Sequence, residues 1–311
     1  MNILLTAINA KYIHSNLAVY SLRACAGEYR DAVELAEYTI NNQKDYILEE
    51  LYKRKPDVLC FSCYIWNIDY VTDIAREYKK LCPSVPIWVG GPEVSYEVEA
   101  FLQENPYIDG VMIGEGEDTF RELCGYYAHK RKLSDIAGIA FRKNSTGNST
   151  SVNNIGGNKA GEIVFTSPRP IKNMSEIPFC YDTLDDFSNR IIYYESSRGC
   201  PFSCSYCLSS VDKTLRFRDT EIVKRELKFF IDQKVPQIKF VDRTFNCNHA
   251  HAMELWRFIK ANDNGVTNFH FEISADLLNQ EELELISDMR PGLIQLEIGV
   301  QSTNDVTIKE I

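Results

Sequence analysis

The chain has 311 residues, of which 44% are hydrophobic and 25% are charged, and its formal net charge is −10 at pH 7. This length allows two domains with separate cores, and the acidic balance argues against a nucleic-acid surface, which relies on Lys and Arg. Ten cysteines without a secretory signal indicate a reducing, cytoplasmic location, and no apolar run approaches the twenty residues of a membrane span.

The first 130 residues alternate short apolar runs with amphipathic runs of helical length. This alternation predicts a parallel sheet covered by helices on both faces, which is a doubly wound domain with its ligand beyond the carboxyl ends of the strands. The predicted strands are residues 2–8, 33–40, 57–64, 86–90 and 110–114. The predicted helices are residues 14–29, 44–53, 68–81, 94–104 and 118–130.

Glycine and small polar residues follow several of these strands. Glycine lets a backbone approach a bulky ligand, and helix amino ends donate N–H groups to a phosphate, although ordinary tight turns have the same composition. No G-x-G-x-x-G follows the first strand, so a nicotinamide dinucleotide is not expected. Cys60 and Cys63 form a C-x-x-C pair along a predicted buried strand and are interpreted as core residues.

The pattern changes near Gly138. Residues 138–143 and 161–166 are predicted to be the two strands of a hairpin, joined by a long Ser/Thr/Asn/Gly-rich loop. Residues 167–187 contain three prolines and predict an irregular connection. The predicted organisation is therefore a first domain over 1–135, a hairpin and linker over 136–188, and a second domain over 189–311.

Strand–helix alternation resumes after Arg190. Such units close into a barrel or part of one, and functional groups then gather at the carboxyl ends of the strands. The predicted strands are residues 191–196, 237–241, 268–273 and 293–299, and the predicted helices are residues 220–233, 249–263 and 280–289. The fold class is therefore α/β, with a doubly wound (flavodoxin- or Rossmann-like) domain followed by a partial TIM-type barrel.

Three cysteines, Cys200, Cys204 and Cys207, follow the first strand of this second domain at C-x3-C-x2-C spacing. Three thiolates on one loop can hold three irons of a 4Fe–4S cluster and leave the fourth iron open to a small molecule. A structural zinc site would need a fourth ligand from elsewhere. Disulfides suit secreted chains, three clustered cysteines cannot all pair with one another, and chance clustering of buried cysteines is the simplest alternative.

Polar residues also follow the other three strands of the second domain. Because these residues converge on one rim, they favour a binding site. Ion pairs are the structural alternative: Asp242 could pair with the adjacent Arg243, and Glu272 or Glu297 could pair with Arg290 or Lys239. An auxiliary metal site is one interpretation of three residues close to the second strand, Cys247, His249 and His251. A helix start is the preferred interpretation, because His249 and His251, two residues apart, do not share a helix face.

With the aromatic Tyr206 just before the last cysteine, the cysteine motif resembles that of the radical S-adenosylmethionine (SAM) enzymes. The resemblance implies that Cys200, Cys204 and Cys207 bind a 4Fe–4S cluster whose open iron is chelated by SAM. It further implies SAM contacts from four sequence regions, although the Gly-Gly-Glu triplet that many members carry after the second strand is missing here. The implied SAM-binding residues are Tyr206, Asp242, Thr244, Glu272 and Gln301.

The first domain resembles the cobalamin-binding domain that precedes many radical SAM barrels. The resemblance rests on Pro56-Asp57-Val58-Leu59, Val89-Gly90-Gly91-Pro92-Glu93 and Gly114-Glu115-Gly116-Glu117-Asp118. The D-x-H-x-x-G signature that supplies a lower histidine ligand to cobalt is absent, so either cobalt lacks a protein histidine or the cofactor has been lost. The implied cobalamin-binding residues are Asn9, Ser62, Gly90, Gly91, Glu115 and Gly116.

The resemblance implies an enzyme that cleaves SAM to methionine and a 5′-deoxyadenosyl radical, which abstracts hydrogen from a small-molecule substrate. Cobalamin would then deliver a methyl group to the unactivated carbon, with flavodoxin or ferredoxin as electron donor. Cyclisation or rearrangement without methyl transfer, a non-catalytic cobalamin- or redox-sensing module and a zinc-stabilised scaffold remain alternatives. Only four βα units are visible where the common partial barrel has six, so a fragment of a longer enzyme is expected.

Overall fold

The computed structural model describes residues 1–143, 161–210 and 214–308. The chain divides into two compact units, Met1–Lys172 with Cys180–Thr183, and Asn173–Phe179 with Leu184–Ile311. Within the described ranges, no helix combines the length and the apolar character needed to cross a bilayer.

The first unit is built on a seven-stranded sheet in the order β2-β1-β3-β4-β5-β6-β7. Strands β1 to β5 are parallel to one another, whereas β6 is antiparallel to both β5 and β7. The strands are β1 (Ile3–Asn9), β2 (Val33–Thr39), β3 (Val58–Ser62), β4 (Ile87–Gly90), β5 (Gly110–Met112), β6 (Ile139–Arg142) and β7 (Ile163–Phe165). The helices are α1 (Leu17–Cys25), α2 (Lys44–Arg54), α3 (Ile68–Leu81), α4 (Val98–Glu104) and α5 (Glu117–Tyr127). The predicted doubly wound fold is confirmed.

Burial explains why these segments form strands and helices. Every residue of β1 and β3 is buried, as expected for central parallel strands with helices on both faces. Helix α3 buries Val71, Ile74, Ala75 and Tyr78, which recur at helical spacing along one face. Cys60 and Cys63 are both fully buried, which confirms that they are core residues.

The strand order reverses at β1, which lies between β2 and β3. At such a reversal the helices that follow β1 and β3 leave on opposite faces, and a crevice opens beyond the carboxyl ends of the two strands. The predicted hairpin is present as β6 and β7, and it extends the same sheet. Its connecting loop, residues 144–160, lies outside the described residues.

The second unit contains a four-stranded parallel sheet in the order β13-β12-β11-β8 and a separate antiparallel pair, β9 with β10. The strands are β8 (Ile192–Tyr194), β9 (Ser197–Arg198), β10 (Arg216–Phe217), β11 (Gln237–Phe240), β12 (Asn268–Ile273) and β13 (Ile294–Ile298). The helices are α6 (Thr220–Asp232), α7 (His249–Ala261), α8 (Gln280–Ser287) and α9 (Asp305–Ile308). Sequential strands are neighbours, as in a βα barrel, but the sheet is open over the described ranges.

Side-chain capping sets where the helices of this unit begin. The Asp219 carboxylate accepts hydrogen bonds from two backbone N–H groups at the start of α6. Asn248 caps α7, which confirms that the segment around His249 and His251 is a helix start. Asn279 and Glu282 form a capping box at the start of α8. These caps fix the turns that follow the strands, where the predicted site residues lie.

Candidate functional site

The cysteine-bearing residues lie in the second unit between β9 and β10, and we call the stretch from Gly199 to Leu215 the cysteine segment. The pairing of Ser197–Arg198 with Arg216–Phe217 joins its two ends, an element that the sequence analysis missed. Gly199 has φ +88°, and a Cβ atom there would lie 2.6 Å from the carbonyl oxygen of Thr214. Glycine is therefore required where the two sides of the segment approach one another.

The three thiols occupy different environments within the cysteine segment. Cys200 is buried and its Sγ lies 3.6 Å from Oγ1 of Thr244, whereas Cys204 and Cys207 are half-buried. The backbone N–H of Cys207 donates to the carbonyl of Cys204 at 3.1 Å, which closes a turn between them.

The donor set has the composition of a cluster site. Over the described residues, no three His, Cys, Asp or Glu side chains are grouped closely enough to bind a metal ion, so the thiols are not gathered into one ligand set in this structure. Three sulfur donors on one short segment are the ligand set of an iron–sulfur cluster with one open iron. A closed tetrahedral zinc site would need a fourth ligand, and the thiol of Cys247 lies near Cys200.

Asp242, a predicted SAM contact, has its carboxylate in the interior of the second unit. The side chain is fully buried; Oδ1 accepts the backbone N–H groups of Ser196 at 2.7 Å and Ser197 at 3.0 Å, and Oδ2 accepts the Ser196 hydroxyl. Burial raises the pKa of Asp242 to about 7, and the hydrogen bonds from Ser196 and Ser197 oppose that rise. Both carboxylate oxygens therefore hold the chain between β8 and the cysteine segment.

His251 completes this buried polar group. Its Nε2 lies 3.1 Å from the Ser196 hydroxyl, and its ring packs against Phe217 and Phe245 at centroid distances of 4.8 and 6.0 Å. Burial lowers the pKa of His251 to about 4, so the imidazole is neutral near pH 7. Sequence analysis placed His251 at a helix start, but no periodicity links it to Ser196, 55 residues earlier.

The acid predicted on the third strand of this sheet lies in an ion-pair network. Lys239 Nζ is 3.3 Å from Glu272 Oε1 and 2.8 Å from Glu297 Oε2, and His270 Nε2 is 3.0 Å from the same Glu297 oxygen. The ion-pair alternative, with Lys239 as partner of both acids, is therefore what the structure contains. The network crosses β11, β12 and β13.

The remaining predicted SAM contacts are placed as follows. Tyr206 is 59% exposed. Thr244 is buried beside Cys200. Gln301 is exposed and has φ +60°, the left-handed region, just beyond β13. The structure thus brings Thr244 to the cysteine segment and leaves Tyr206 and Gln301 at the surface.

In the first unit, Asn9 and Ser62 lie at the carboxyl ends of β1 and β3, on the two sides of the crevice. Asn9 Nδ2 donates to the His14 carbonyl at 3.0 Å and to Glu37 Oε1 at 2.9 Å. Ser62 Oγ accepts from Asn16 Nδ2 at 3.4 Å. The side chains of both predicted cobalamin-binding residues are therefore hydrogen-bonded to their neighbours at these strand ends.

The sequence analysis missed Asn67, whose side chain connects the carboxyl ends of β1 and β3 by hydrogen bonds. Its Nδ2 donates to the carbonyls of Ile8 and Ser62, each at 2.9 Å, and its Oδ1 accepts the Tyr64 N–H at 2.8 Å. One side chain thus joins the ends of β1 and β3 to the turn before α3. An asparagine directly before a helix is the sequence signal that could have identified it.

Packing accounts for two of the predicted glycines. Gly91 has φ +119°, and a Cβ atom there would collide with the carbonyl oxygen of Cys63. A Cβ atom on Gly116 would lie 2.9 Å from Leu22 Cδ2, whereas Gly90 has ordinary space beside Met112. Glu115 Oε2 accepts the backbone N–H of Lys172 at 3.2 Å.

Large apolar side chains are exposed just beyond the same strand ends. Tyr12 and Ile13 follow β1 and are 63% and 44% exposed, and Ile65 and Trp66 follow β3 and are 79% and 44% exposed. Trp66 stacks on Tyr64 with ring centroids 4.4 Å apart and donates its Nε1–H to the Ile8 carbonyl at 3.3 Å. We call Tyr12, Ile13, Ile65 and Trp66 the apolar rim; such a rim beside a crevice fits a large ligand with broad hydrocarbon faces.

Comparison with known proteins matches each unit to a family. Residues 3–124 match the B12 binding domain, and residues 194–311 match the radical SAM superfamily. The chain is similar to an uncharacterized methyltransferase of Pyrococcus horikoshii, with 31% identity over 67% of this chain and 44% of that protein. It is also similar to the cobalamin-dependent radical SAM methyltransferase TokK of Streptomyces tokunonensis, with 29% identity over 74% of this chain and 33% of that protein.

A solved structure shares the fold. The cobalamin-dependent SAM radical enzyme OxsB, with aqua-cobalamin and SAM bound, superposes with a TM-score of 0.74 at 18% identity, covering 98% of this chain and 45% of that one. The chain thus spans less than half the length of each of these three proteins.

Proposed function

The chain belongs to the radical SAM proteins that carry a B12-binding domain, and from that premise we propose that it acts in cobalamin-dependent methyl transfer. The proposed cofactors are a 4Fe–4S cluster, SAM and cobalamin, and the proposed substrate is a small molecule with an unactivated carbon. The observation that carries the proposal is the set of three thiols, Cys200, Cys204 and Cys207, at the carboxyl end of the first strand of a parallel sheet.

In the second unit, we propose that the three thiols ligate the cluster and that SAM chelates the remaining iron. When bound, the cluster supplies an electron for reductive cleavage of SAM, and cobalamin supplies the methyl group. The chain's own residues hold these groups in place. Gly199 and the β9–β10 pair join the ends of the cysteine segment, and exposed Tyr206 offers a ring face to adenine.

In the first unit, we propose that the crevice between β1 and β3 binds cobalamin. The apolar rim provides contact for a wide macrocycle, and Asn67 holds the two strand ends together beneath it. Burial of the exposed part of these four large apolar side chains would favour binding, at roughly 25 cal/mol per Å² of apolar surface removed from water. Exclusion of water from the crevice follows from the same contacts.

The primary test is anaerobic reconstitution with iron and sulfide, followed by metal and sulfide analysis. Iron content is the first readout because the chain spans less than half the length of its relatives. We expect about four irons and four sulfides in the wild-type chain and loss of the cluster in Cys200→Ala, Cys204→Ala and Cys207→Ala. Cys82→Ala, in the first unit, is the matched control and should keep its iron.

Cys247→Ala separates the cluster from a zinc site. Cys247 lies near Cys200 and is the fourth thiol that a closed zinc site would recruit. We expect Cys247→Ala to retain the cluster; zinc without sulfide in the wild-type chain, and loss of that zinc in Cys247→Ala, would refute the proposal.

Dithionite and SAM with a labelled methyl group then test the chemistry. Formation of 5′-deoxyadenosine supports radical generation, and label in the product supports methyl transfer. 5′-Deoxyadenosine without transfer of label would favour cyclisation or rearrangement. Absence of 5′-deoxyadenosine from the cluster-loaded protein would favour a non-catalytic sensing module.

A further inference from the structure

We propose that Asp242 and Thr244 are positioning residues for the cysteine segment, and that neither side chain contacts SAM. Asp242 holds the backbone that leads into the segment, and Thr244 donates a hydrogen bond to the sulfur of Cys200. This inference rests on the proposed function in one respect, because it takes Cys200 as a ligand of the cluster.

The first observation is that the Asp242 side chain is buried and is already hydrogen-bonded to the residues that lead into the cysteine segment. Its carboxylate is 0% exposed and receives three hydrogen bonds, two from backbone N–H groups and one from a hydroxyl. All three donors belong to Ser196 and Ser197, which lie just before Gly199 and Cys200. Because Asp242 is fully buried, an SAM ammonium group could reach this carboxylate only if the residues that cover it moved.

The surroundings of Asp242 keep it in this position. Ser196 is 0% exposed, and its hydroxyl also lies 3.1 Å from His251 Nε2, so the serine bridges the carboxylate and the imidazole. The His251 ring packs against Phe217 of β10, and the β10 strand pairs with Ser197 of β9. The aspartate therefore acts on both ends of the cysteine segment, directly on one and through Ser196 and His251 on the other.

The second observation concerns Thr244, two residues after Asp242. Its side chain is 7% exposed, and its hydroxyl lies 3.6 Å from Cys200 Sγ, within range of a hydrogen bond to sulfur. A thiolate ligand can only accept, so the threonine hydroxyl is then the donor. A hydrogen bond to a cluster thiolate stabilises the reduced, more negative cluster and raises its reduction potential.

An iron-free experiment tests the role of Asp242 independently of the cluster. We expect Asp242→Ala to accelerate amide hydrogen exchange in the peptide that contains Ser196 and Ser197 about tenfold or more, because their N–H groups lose their acceptor. Asp219→Ala is the matched control, since it also removes a carboxylate that accepts two backbone N–H groups, but at the start of α6. That control should accelerate exchange in α6 and leave the Ser196 peptide unchanged.

The reconstituted chain tests the roles toward the cluster and SAM. We expect Thr244→Val, which keeps the shape and removes the hydroxyl, to lower the reduction potential in an EPR-monitored titration, and Thr244→Ser to restore it. SAM affinity should be unchanged in Thr244→Val and in Asp242→Asn.

Three results would overturn the inference. They are an unchanged potential in Thr244→Val, unchanged exchange at Ser196 and Ser197 in Asp242→Ala, and a loss of SAM affinity of about tenfold or more in Asp242→Asn, as expected for a lost charge-assisted hydrogen bond. A wild-type chain that binds no iron would refute the proposed function instead, while the exchange experiment would still decide the role of Asp242.

Discussion

The guanidinium of Arg218 and the carboxylate of Glu226 form an ion pair inside the second unit, with an Nη2–Oε1 distance of 2.5 Å and side chains that are 6% and 5% exposed. The second carboxylate oxygen accepts the Tyr194 hydroxyl at 2.5 Å, and Arg218 Nη1 donates to the Met174 carbonyl at 2.5 Å. Arg218 N also donates to the Ser196 carbonyl at 2.8 Å. The pair thus ties helix α6 to β8 and to the residues just before the cysteine segment.

Glu226→Ala should destabilise the second unit by about 3–5 kcal/mol, because it leaves the Arg218 charge buried without its partner. Urea unfolding followed by peptide-resolved hydrogen exchange would measure the change separately for each unit. Glu281→Ala is the control, since Glu281 pairs with Arg257 at the surface and its loss should cost about 0.5 kcal/mol or less. Equal effects of the two substitutions would contradict the importance of the buried pair.

The opposed pKa shifts of Asp242 and His251 predict how pH affects the second unit. Burial raises the pKa of Asp242 from 3.8 to about 7, so between about pH 4 and 7 this residue binds a proton in the folded state but not in the unfolded state. Its contribution to the free energy of unfolding therefore falls as pH rises over that range. Burial lowers the pKa of His251 from 6.5 to about 4, so between about pH 4 and 6.5 this residue binds a proton in the unfolded state but not in the folded state. Its contribution to the free energy of unfolding therefore rises as pH rises over that range. The two dependences oppose one another over most of that range.

Substituting either Asp242 or His251 should leave a free energy of unfolding whose pH dependence is that of the other residue. Asp242→Asn should leave a free energy of unfolding that increases with pH between about 4 and 6.5, by about 1 kcal/mol per pH unit. His251→Gln should produce the reverse slope up to about pH 7. Urea titrations at half-unit pH intervals would measure both slopes, and identical profiles for the two variants would contradict the burial of these groups.

Two glycines of the first unit should respond differently to alanine. Gly91→Ala should cost about 2–3 kcal/mol or more, because the new methyl group collides with the Cys63 carbonyl at a positive φ. Gly114→Ala should cost about 1 kcal/mol, because its φ is also positive, at +75°, but the space around it is open. Unfolding free energies of the first unit provide the measurement, and a reversed order would contradict the packing of the β4 end against Cys63.

On the proposed function, the apolar rim should contribute to cobalamin affinity. Trp66→Ala should weaken cobalamin binding about tenfold, since it removes a half-exposed aromatic face worth roughly 1–2 kcal/mol in a bound complex. Tyr52→Ala is the matched control, because Tyr52 is a 51% exposed aromatic residue of the first unit on α2. Anaerobic absorbance titration with cobalamin would measure both, and equal affinities of the two variants would argue against the rim as a binding surface.

Much of the fold could be predicted from the sequence because its elements carry strong local patterns. Helix α3 has the predicted bounds Ile68–Leu81, since its apolar residues recur at helical spacing. Strand β12 has the predicted bounds Asn268–Ile273, where Phe269, Phe271 and Ile273 alternate with residues that are less buried. The pair β9 with β10 was missed because each strand has two residues and no pattern of its own.

The site was less predictable because its contacts join residues distant in sequence. A carboxylate just after a strand suggests a rim residue, but the donors that turn Asp242 inward lie 45 and 46 residues earlier. The ion pairs of Lys239 with Glu272 and Glu297 were foreseen as an alternative, since all three lie on predicted neighbouring strands. Residue type and position after a strand were enough to identify the candidate site residues. The role of each side chain depends on its hydrogen-bond and ion-pair partners, which are distant in sequence.

The β9–β10 pair has a consequence for how the cysteine segment tolerates change. Because Ser197–Arg198 and Arg216–Phe217 already bring its ends together, the chain entropy of closing the segment is lost during folding and not during metal uptake. Lengthening the stretch between Cys207 and Arg216 by a few glycines should therefore alter iron affinity only slightly, as each doubling of a loop costs about 0.6 kcal/mol. We therefore expect the sequence between Cys207 and the second flanking strand to tolerate insertions with little loss of metal affinity.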